Sequence, residues 1–383
     1  RFKDMKGADF SSKEKAGLNA LKKLSQNMNI DICTNCLAVQ LSKIAQREEM
    51  FEDYYYLSSV NQKLVNHFKK LSKYINKNKF VVDVGSNDGI FLEPLKKRGI
   101  KFVGIDPSKN VGEIANKKGL KTYISFFNKK VVDKIINSHG KADIVVASSI
   151  FTHLKNPLDF VKNVKKLINI NGTVIIEIEY VANFIKNLEF ERFYFDRPFY
   201  YSIKSMMHLF KKYEMHLNNI DMIDIHGSSV RLYFENKKKV KYKSKISKIL
   251  KDEAKTLNLK KLLKFSNLIN LESHKFKLQL KKFKKNGHKV IGYGCPARLA
   301  TITNYAKIGN DLIEFIIEDS FLKQNKFSPG MHIPIVDRKD INLKNYNIVI
   351  VFAYEYIKEI KLKINKQINK KLMNYKPIPF KNI

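Results

Sequence analysis

The sequence predicts an α/β protein: a parallel sheet with helices on both faces, a small segment before it and a second α/β domain after it. Three observations carry this expectation. From Phe80 onward, short apolar runs alternate with helical stretches. The first run enters a glycine-bounded turn, Val81-Val-Asp-Val-Gly-Ser-Asn-Asp-Gly-Ile-Phe91. After a Lys-rich stretch without glycine, a second strand runs into a glycine turn at Lys289-Val-Ile-Gly-Tyr-Gly294. At 383 residues, two or three domains are the expectation.

Taken in order, residues 1 to about 30 are polar and helix-prone, and Asp31 to Leu41 reads as a turn and strand. Phe51 to Ile75 reads as one helix, because Val60, Leu64, Phe68, Leu71 and Ile75 recur at helical spacing. Strands are expected at Phe80–Val84, Phe102–Ile105, Lys121–Ile124, Ile144–Ala147 and Thr173–Ile178. The helices between them are Ile90–Arg98, Val111–Lys118, Lys129–Asn137 and Pro157–Ile168. His216–Ile223 and Ser229–Phe234 complete the sheet, and residues 237–285 form a helical connector. Leu312–Ile317 and Ile348–Ala353 supply strands of the last unit. The expected divisions are 1–70, 71–236, 237–285 and 286–383.

The formal charge of +36 invites a nucleic-acid reading, since lysines neutralise phosphates. Lysines occur in every segment and punctuate helix patterns, as in Leu262-Leu263-Lys264-Phe265. The charge is therefore read as a compositional bias that also attracts anionic small molecules, ahead of an RNA or membrane partner. The longest apolar runs, such as Ile348–Tyr354, are strand-sized, well short of the ~20 residues of a membrane span. No signal-peptide pattern opens the chain, and cytoplasmic placement is the default. A start at Arg1 rather than Met reads as a fragment.

Three cysteines cannot make a disulfide framework. Cys33-Thr-Asn-Cys36 is half of a structural zinc site, two thiolates for two tetrahedral corners, and no second pair follows. Zinc is the weaker expectation, its partners lying upstream of Arg1 or lost.

The turn after the first core strand is the most informative stretch. Gly85 and Gly89 let the backbone pass close to a ligand, while Asp83 and Asp88 place acceptors beside it, with Ser86 and Asn87 between. A diphosphate would be repelled by this loop, which also lacks G-x-G-x-x-G. S-adenosylmethionine (SAM) carries a sulfonium and an ammonium and no phosphate, so the charges suit it. Asp106 ends the second strand, 23 residues after Asp83, where a carboxylate can accept from both ribose hydroxyls.

These motifs together resemble the sugar C-methyltransferases that act on nucleotide-linked keto-deoxysugars, and the resemblance covers nearly the whole chain. Cys-x-x-Cys-x-x-Val-Gln-Leu41 is similar to the second half of that family's zinc-binding domain, and Asp53-Tyr-Tyr-Tyr-Leu-Ser-Ser59 to its tyrosine-serine segment. Val-Gly-Ser-Asn-Asp-Gly89 resembles its cofactor loop, Ile150-Phe-Thr-His-Leu154 its fourth-strand loop and His226-Gly-Ser-Ser-Val-Arg231 its late strand motif. Gly292-Tyr-Gly-Cys-Pro-Ala-Arg298, with Asn304-Tyr305, Ile308-Gly309 and Pro329-Gly-Met-His-Ile-Pro334, resembles its C-terminal domain. The resemblance implies a Rossmann-like class I methyltransferase core with a second C-terminal α/β domain. It also implies SAM as cofactor and a nucleotide-sugar as substrate. Tyr54, Tyr56, Tyr293, Arg197, Arg231 and Arg298 are the substrate-binding candidates, the last two as diphosphate clamps.

The family's chemistry removes a proton beside the sugar ketone, and the enolate attacks the methyl group on sulfur. Its members carry Tyr-x-Glu-His for proton transfer, where this chain has Tyr194-Phe195-Asp196-Arg197. Arg197 stays protonated and cannot be a base, although it can hold an oxyanion. Asp196, His153 and Tyr194 remain as the acid-base candidates, and the resulting nucleophile could be an enolate or an alkoxide.

Overall fold

The computed structural model describes residues 11–12, 30–41, 57–194, 197–225, 227, 229–239, 241–321, 323–365 and 373–382. Apart from the short strand β1 (Ser11–Ser12), the helix-prone stretch expected over residues 1–30 lies outside them. Strands β2 (Ile30–Ile32) and β3 (Val39–Leu41) form a hairpin around the Cys33–Cys36 turn. Helix α1 spans Gln62–Lys73. The single helix expected from Phe51 to Ile75 is not observed: a 3-10 turn at Ser58–Val60 precedes Asn61, whose side chain caps the helix by accepting from Leu64 N. Serine and asparagine side chains compete for nearby backbone groups, which favours Ser58, Ser59 and Asn61 at a helix start over a helix interior.

The alternating region folds as expected into β4 (Phe80–Val84), α2 (Leu92–Lys97), β5 (Lys101–Asp106), α3 (Lys109–Lys117), β6 (Thr122–Ile124), α4 (Lys129–His139), β7 (Ala142–Ser148), α5 (Pro157–Leu167) and β8 (Ile168–Glu179). Helix α6 (Val181–Asn187), strand β9 (Phe199–Tyr200) and helix α7 (Ile203–Lys211) follow, then β10 (His216–Ile223) and β11 (Ser229–Glu235). The sheet order is β10-β11-β8-β7-β4-β5-β6, with β4 to β8 parallel and β11 antiparallel between β8 and β10. Every residue of β4 is buried, which is why its sequence is a continuous apolar run rather than an alternation. Strand β9 also pairs with β3, tying the N-terminal hairpin to this domain.

Two helices, α8 (Lys243–Thr256) and α9 (Leu259–Lys285), make the connector. In α9, Phe265, Ile269, Phe276, Leu280 and Phe283 face inward at spacings of three, four and seven, and most of its lysines face out. The last sheet contains β12 (Val290–Tyr293), β13 (Ile316–Ile317), β14 (Lys326–Phe327), β15 (Pro334–Val336), β16 (Ile348–Val351), β17 (Met373–Lys376) and β18 (Lys381–Asn382). Helix α10 (Ala297–Ala306) follows β12, and α11 (Ile357–Asn365) follows β16. Its order is β1-β14-β15-β13-β12-β16-β17-β18, with β15, β13, β12, β16 and β17 parallel. The strand expected at Leu312–Ile317 shortens to its last two residues, because Leu312 N and Ile313 N both donate to Gly309 O in a turn.

One hydrophobic cluster runs from Val82 and Val145 through Phe265 and Phe276 to Ile316 and Ile350, so both sheets share a core. Among the described residues no helix is long and apolar enough to cross a membrane.

Candidate active site

In each sheet the chain reverses direction of travel at one strand, β4 between β5 and β7, and β12 between β13 and β16. Ligands of open α/β sheets bind outside the carboxyl ends of strands at such points. After β4, Gly85 N and Ser86 N both donate to Ile105 O, at 2.7 and 3.1 Å. Gly85 and Gly89 have φ of +79° and +85°, and a Cβ at Gly85 would fall on the Ile150 side chain. Asp106 closes the turn: Oδ2 accepts from Asn87 N at 2.8 Å and Oδ1 from Ser108 N at 2.9 Å. Each carboxylate oxygen keeps a lone pair for a further donor.

The segment before α1 lies across this loop. Ser58 N donates to Asn87 Oδ1 at 2.9 Å, and Ser59 Oγ donates to Asp88 Oδ2, which also has Lys118 Nζ at 3.5 Å. Asp88 Oδ1 and Ser86 Oγ are buried without a partner among the described residues. Burial, then the neighbouring Asp106 and Glu177, pushes the Asp83 carboxyl up to about 8. Burial also raises Asp106, against the amides that hold its charge. Asp83, Gly85, Ser86, Asn87, Asp88, Gly89 and Asp106 thus lie in one acidic turn with an unsatisfied acceptor and a carboxylate positioned for a ribose. That donor set fits SAM, whose cationic end would answer the acids, and it disfavours a diphosphate.

His153 ends a 3-10 turn, Phe151–His153, on the loop leaving β7. Tyr194 follows a second such turn, Phe190–Arg192, and its backbone is pinned by Tyr200, whose hydroxyl donates to Tyr194 O at 3.1 Å. Burial pushes the Tyr194 phenol up to about 12, with Arg298 and Arg197 acting the other way. The Arg197 guanidinium lies 4.8 Å from the Tyr194 ring centroid, and its Nη1 bonds Glu179 Oε1 at 2.5 Å. Asp196, Tyr54 and Tyr56 lie outside the described residues.

Arg231 lies in a buried ion-pair cluster. Its Nε donates to Glu177 Oε1 at 2.6 Å and its Nη2 lies 3.2 Å from His67 Nε2, within the first sheet. Glu177 is fully buried and also takes Ser148 Oγ at 2.6 Å and His67 Nε2 at 2.9 Å. Register explains the cluster, since Ser148 on β7 and Arg231 on β11 are the cross-strand neighbours of Glu177. Burial works against the Glu177 charge, but His67, Arg231 and Ser148 outweigh it and hold the carboxyl near about 2. A guanidinium neutralised in this way braces the sheet.

The turn after β12 repeats the first. Gly294, with φ of +82°, donates to Ile317 O at 2.8 Å. Glu318 then accepts from Cys295 N at 2.7 Å and from Ser320 N at 3.0 Å. Lys323 Nζ bonds Cys295 O at 3.0 Å, and Tyr293 directs its hydroxyl to Asp319. Arg298, in the first turn of α10, has Nη2 3.1 Å from Glu355 Oε2, while its buried Nε and Nη1 have no partner among the described residues. Cys33 and Cys36 sit apart from both turns, in the hairpin where Ser202 Oγ donates to Cys36 O at 3.2 Å. Among the described residues no group of three or more His, Cys, Asp or Glu side chains could hold a metal.

Sequence reasoning missed Glu177, Glu179, Arg192, Glu318 and Glu355. The signal for the first two was two acids alternating with apolar residues at the end of a buried strand, Ile175-Ile-Glu-Ile-Glu179. For Glu318 it was an acid at a strand tip, as at Asp106.

Residues 55–217 match the family model described as a methyltransferase domain, and residues 224–379 match that of a C-methyltransferase C-terminal domain. The C-methyltransferase NovU of Streptomyces niveus is 23% identical over 342 residues, which are 87% of this chain and 81% of NovU. A ubiquinone biosynthesis O-methyltransferase of Pelagibacter ubique is 27% identical over 118 residues, 30% of this chain and 49% of that protein. Among solved structures, the magnesium protoporphyrin IX methyltransferase of Synechocystis with bound SAM aligns with a TM-score of 0.35 and 13% identity, covering 45% of this chain and 78% of that one.

Proposed function

We propose that this chain, a SAM-dependent C-methyltransferase joining a methyltransferase domain to a C-methyltransferase C-terminal domain, acts in the cytoplasm on a nucleotide-linked keto-deoxysugar. The observation that carries the substrate class is the second turn. It offers a nucleoside the same shape as the first, with Glu318 for the ribose, but it adds Arg298 and Lys323 where the first turn has acids. Phosphates favour such a helix N-terminus with a guanidinium whose Nε and Nη1 lack partners among the described residues. The clamp role expected of two arginines falls to Arg298 alone. We place the sugar between the domains, the cofactor domain as residues 71–236 and the C-terminal domain as 286–383.

SAM supplies an electrophilic methyl group on a sulfonium. The chain's own task is to generate a carbon nucleophile beside the ketone. Asp196 takes the proton from that carbon, Arg197 or Tyr194 stabilises the oxygen as the enolate forms, and His153 serves proton transfer nearby. The nearness of Arg197 and Arg298 to Tyr194 supports an electrophilic role for this edge.

Transfer of a labelled methyl group to a panel of nucleoside diphosphate sugars, with the product read by NMR, tests the proposal. A new carbon-bound methyl beside the ketone is expected. A methyl on oxygen would replace the enolate with an alkoxide, and no transfer to any keto-sugar would overturn the substrate class.

A further inference from the structure

We propose that a line of ion pairs centred on the buried Arg192, Glu355–Arg192–Glu179–Arg197, lets the C-terminal domain position the segment that carries Tyr194 and Arg197. The inference rests on the reading that this segment serves methyl transfer. Arg192 is 4% exposed and sits at the centre. Its Nη2 meets Glu355 Oε1 at 2.5 Å, its Nε meets Glu189 Oε2 at 2.7 Å, and its Nη1 lies 3.9 Å from Glu179 Oε2. The other oxygen of Glu179 holds Arg197 Nη1 at 2.5 Å. One carboxylate at the end of β8 therefore joins the arginine before Tyr194 to the arginine after it.

The contact crosses the domain boundary twice within two residues. Glu355 reaches Arg192, and the neighbouring Tyr354 donates its hydroxyl to the buried Glu191. Tyr354 is itself fixed between two cations, with Arg298 at 4.6 Å and Lys376 Nζ at 4.3 Å from its ring centroid. Between Arg192 and Tyr194 lies Phe193, buried against Phe184 and Tyr200, which transmits any shift of Arg192 along the backbone. Gly227 has φ of +76°, and a Cβ there would fall on the Arg192 guanidinium. The glycine of the late strand motif thus leaves room for the central arginine.

A clasp that only held the domains together could lie anywhere along their boundary. This one ends two residues before Tyr194, and its far end shares Glu355 with Arg298, the proposed diphosphate clamp. Removing Glu355 takes the shortest of three carboxylate contacts from a buried guanidinium, so Arg192 must shift toward Glu189 and Glu179 and carry its backbone with it. Tyr354 and Glu355 are positioning residues that act through the adjacent Glu191 and Arg192.

The test uses the full chain saturated with SAM and the variants Tyr354→Phe, which removes one oxygen, and Glu355→Gln. Hydrogen–deuterium exchange of peptides covering residues 188–200 should quicken by about tenfold in both, while β4 to β8 stay protected. With a nucleotide-sugar that the wild type methylates, kcat should fall by about tenfold with KM and SAM affinity within about threefold. Unchanged exchange in residues 188–200 overturns the relay, as does faster exchange with unchanged kcat. A rise in KM at constant kcat makes Glu355 a binding residue instead. If no nucleotide-sugar accepts the methyl group, the substrate reading fails separately, and the exchange result alone decides the relay.

Discussion

After β4, Gly85 bonds to Ile105, and the acid that follows, Asp106, collects two backbone amides. After β12, Gly294 bonds to Ile317, and the acid that follows, Glu318, collects two backbone amides. The difference is charge. The first turn adds Asp83 and Asp88, both buried, whereas the second adds Arg298 and Lys323. Backbone geometry at a topological switch point builds a place for a nucleoside. Side-chain charge then selects whether that nucleoside arrives with a cation or with phosphates.

The largest expected effect belongs to the acid–base candidate Asp196. Asp196→Asn should lower the transfer rate by at least about a hundredfold while SAM and uridine diphosphate still bind. Full activity in that variant would pass the base to His153 or Tyr194. Next, Asp106→Ala should weaken SAM by about 1.5–3 kcal/mol in calorimetry and leave uridine diphosphate unaffected. Glu318→Ala should do the reverse and by less, about 1 kcal/mol, because Glu318 is the more exposed acid. If Glu318→Ala weakened SAM as well, the two turns would not be separate sites.

The smallest effect is a proton. With its carboxyl raised to about 8, Asp83 is largely protonated at pH 7, and a bound cation favours its charged form. SAM binding should therefore release a fraction of a proton, and its affinity should rise between about pH 6 and 8. Calorimetry in buffers of different ionisation enthalpy measures the release. Uridine diphosphate at the second turn should show no contribution from Asp83, and Asp83→Asn should abolish the release on SAM binding.

The first turn was legible in the sequence because its parts are contiguous: two glycines and two acids follow one apolar run, and Asp106 ends the next. The second was only half legible. Its glycines were plain, but Glu318 follows a two-residue strand, and the apolar run before it belongs partly to a turn built on Gly309. The partner of Arg231 was illegible for another reason. A sequence displays a charge without its partner, and Glu177 meets it only through the register of β8 against β11. The early helix was overextended because Leu64, Phe68 and Leu71 keep helical spacing, while Asn61 caps its start locally and Ser58 and Ser59 bond across to Asn87 and Asp88.

Helix α9 lies against α6 at one side and α10 at the other, and Phe276 stacks on Phe380 of the last hairpin. Because its inward residues belong to the one cluster that both sheets share, neither half has a boundary at which it can melt alone. Differential scanning calorimetry should then show one endotherm rather than two. For anyone exchanging C-terminal halves between relatives to change the acceptor, the exchangeable unit is not a cassette cut at Lys285. A graft must bring the helix and the aromatic faces it seals, or the recipient will carry an unsealed seam.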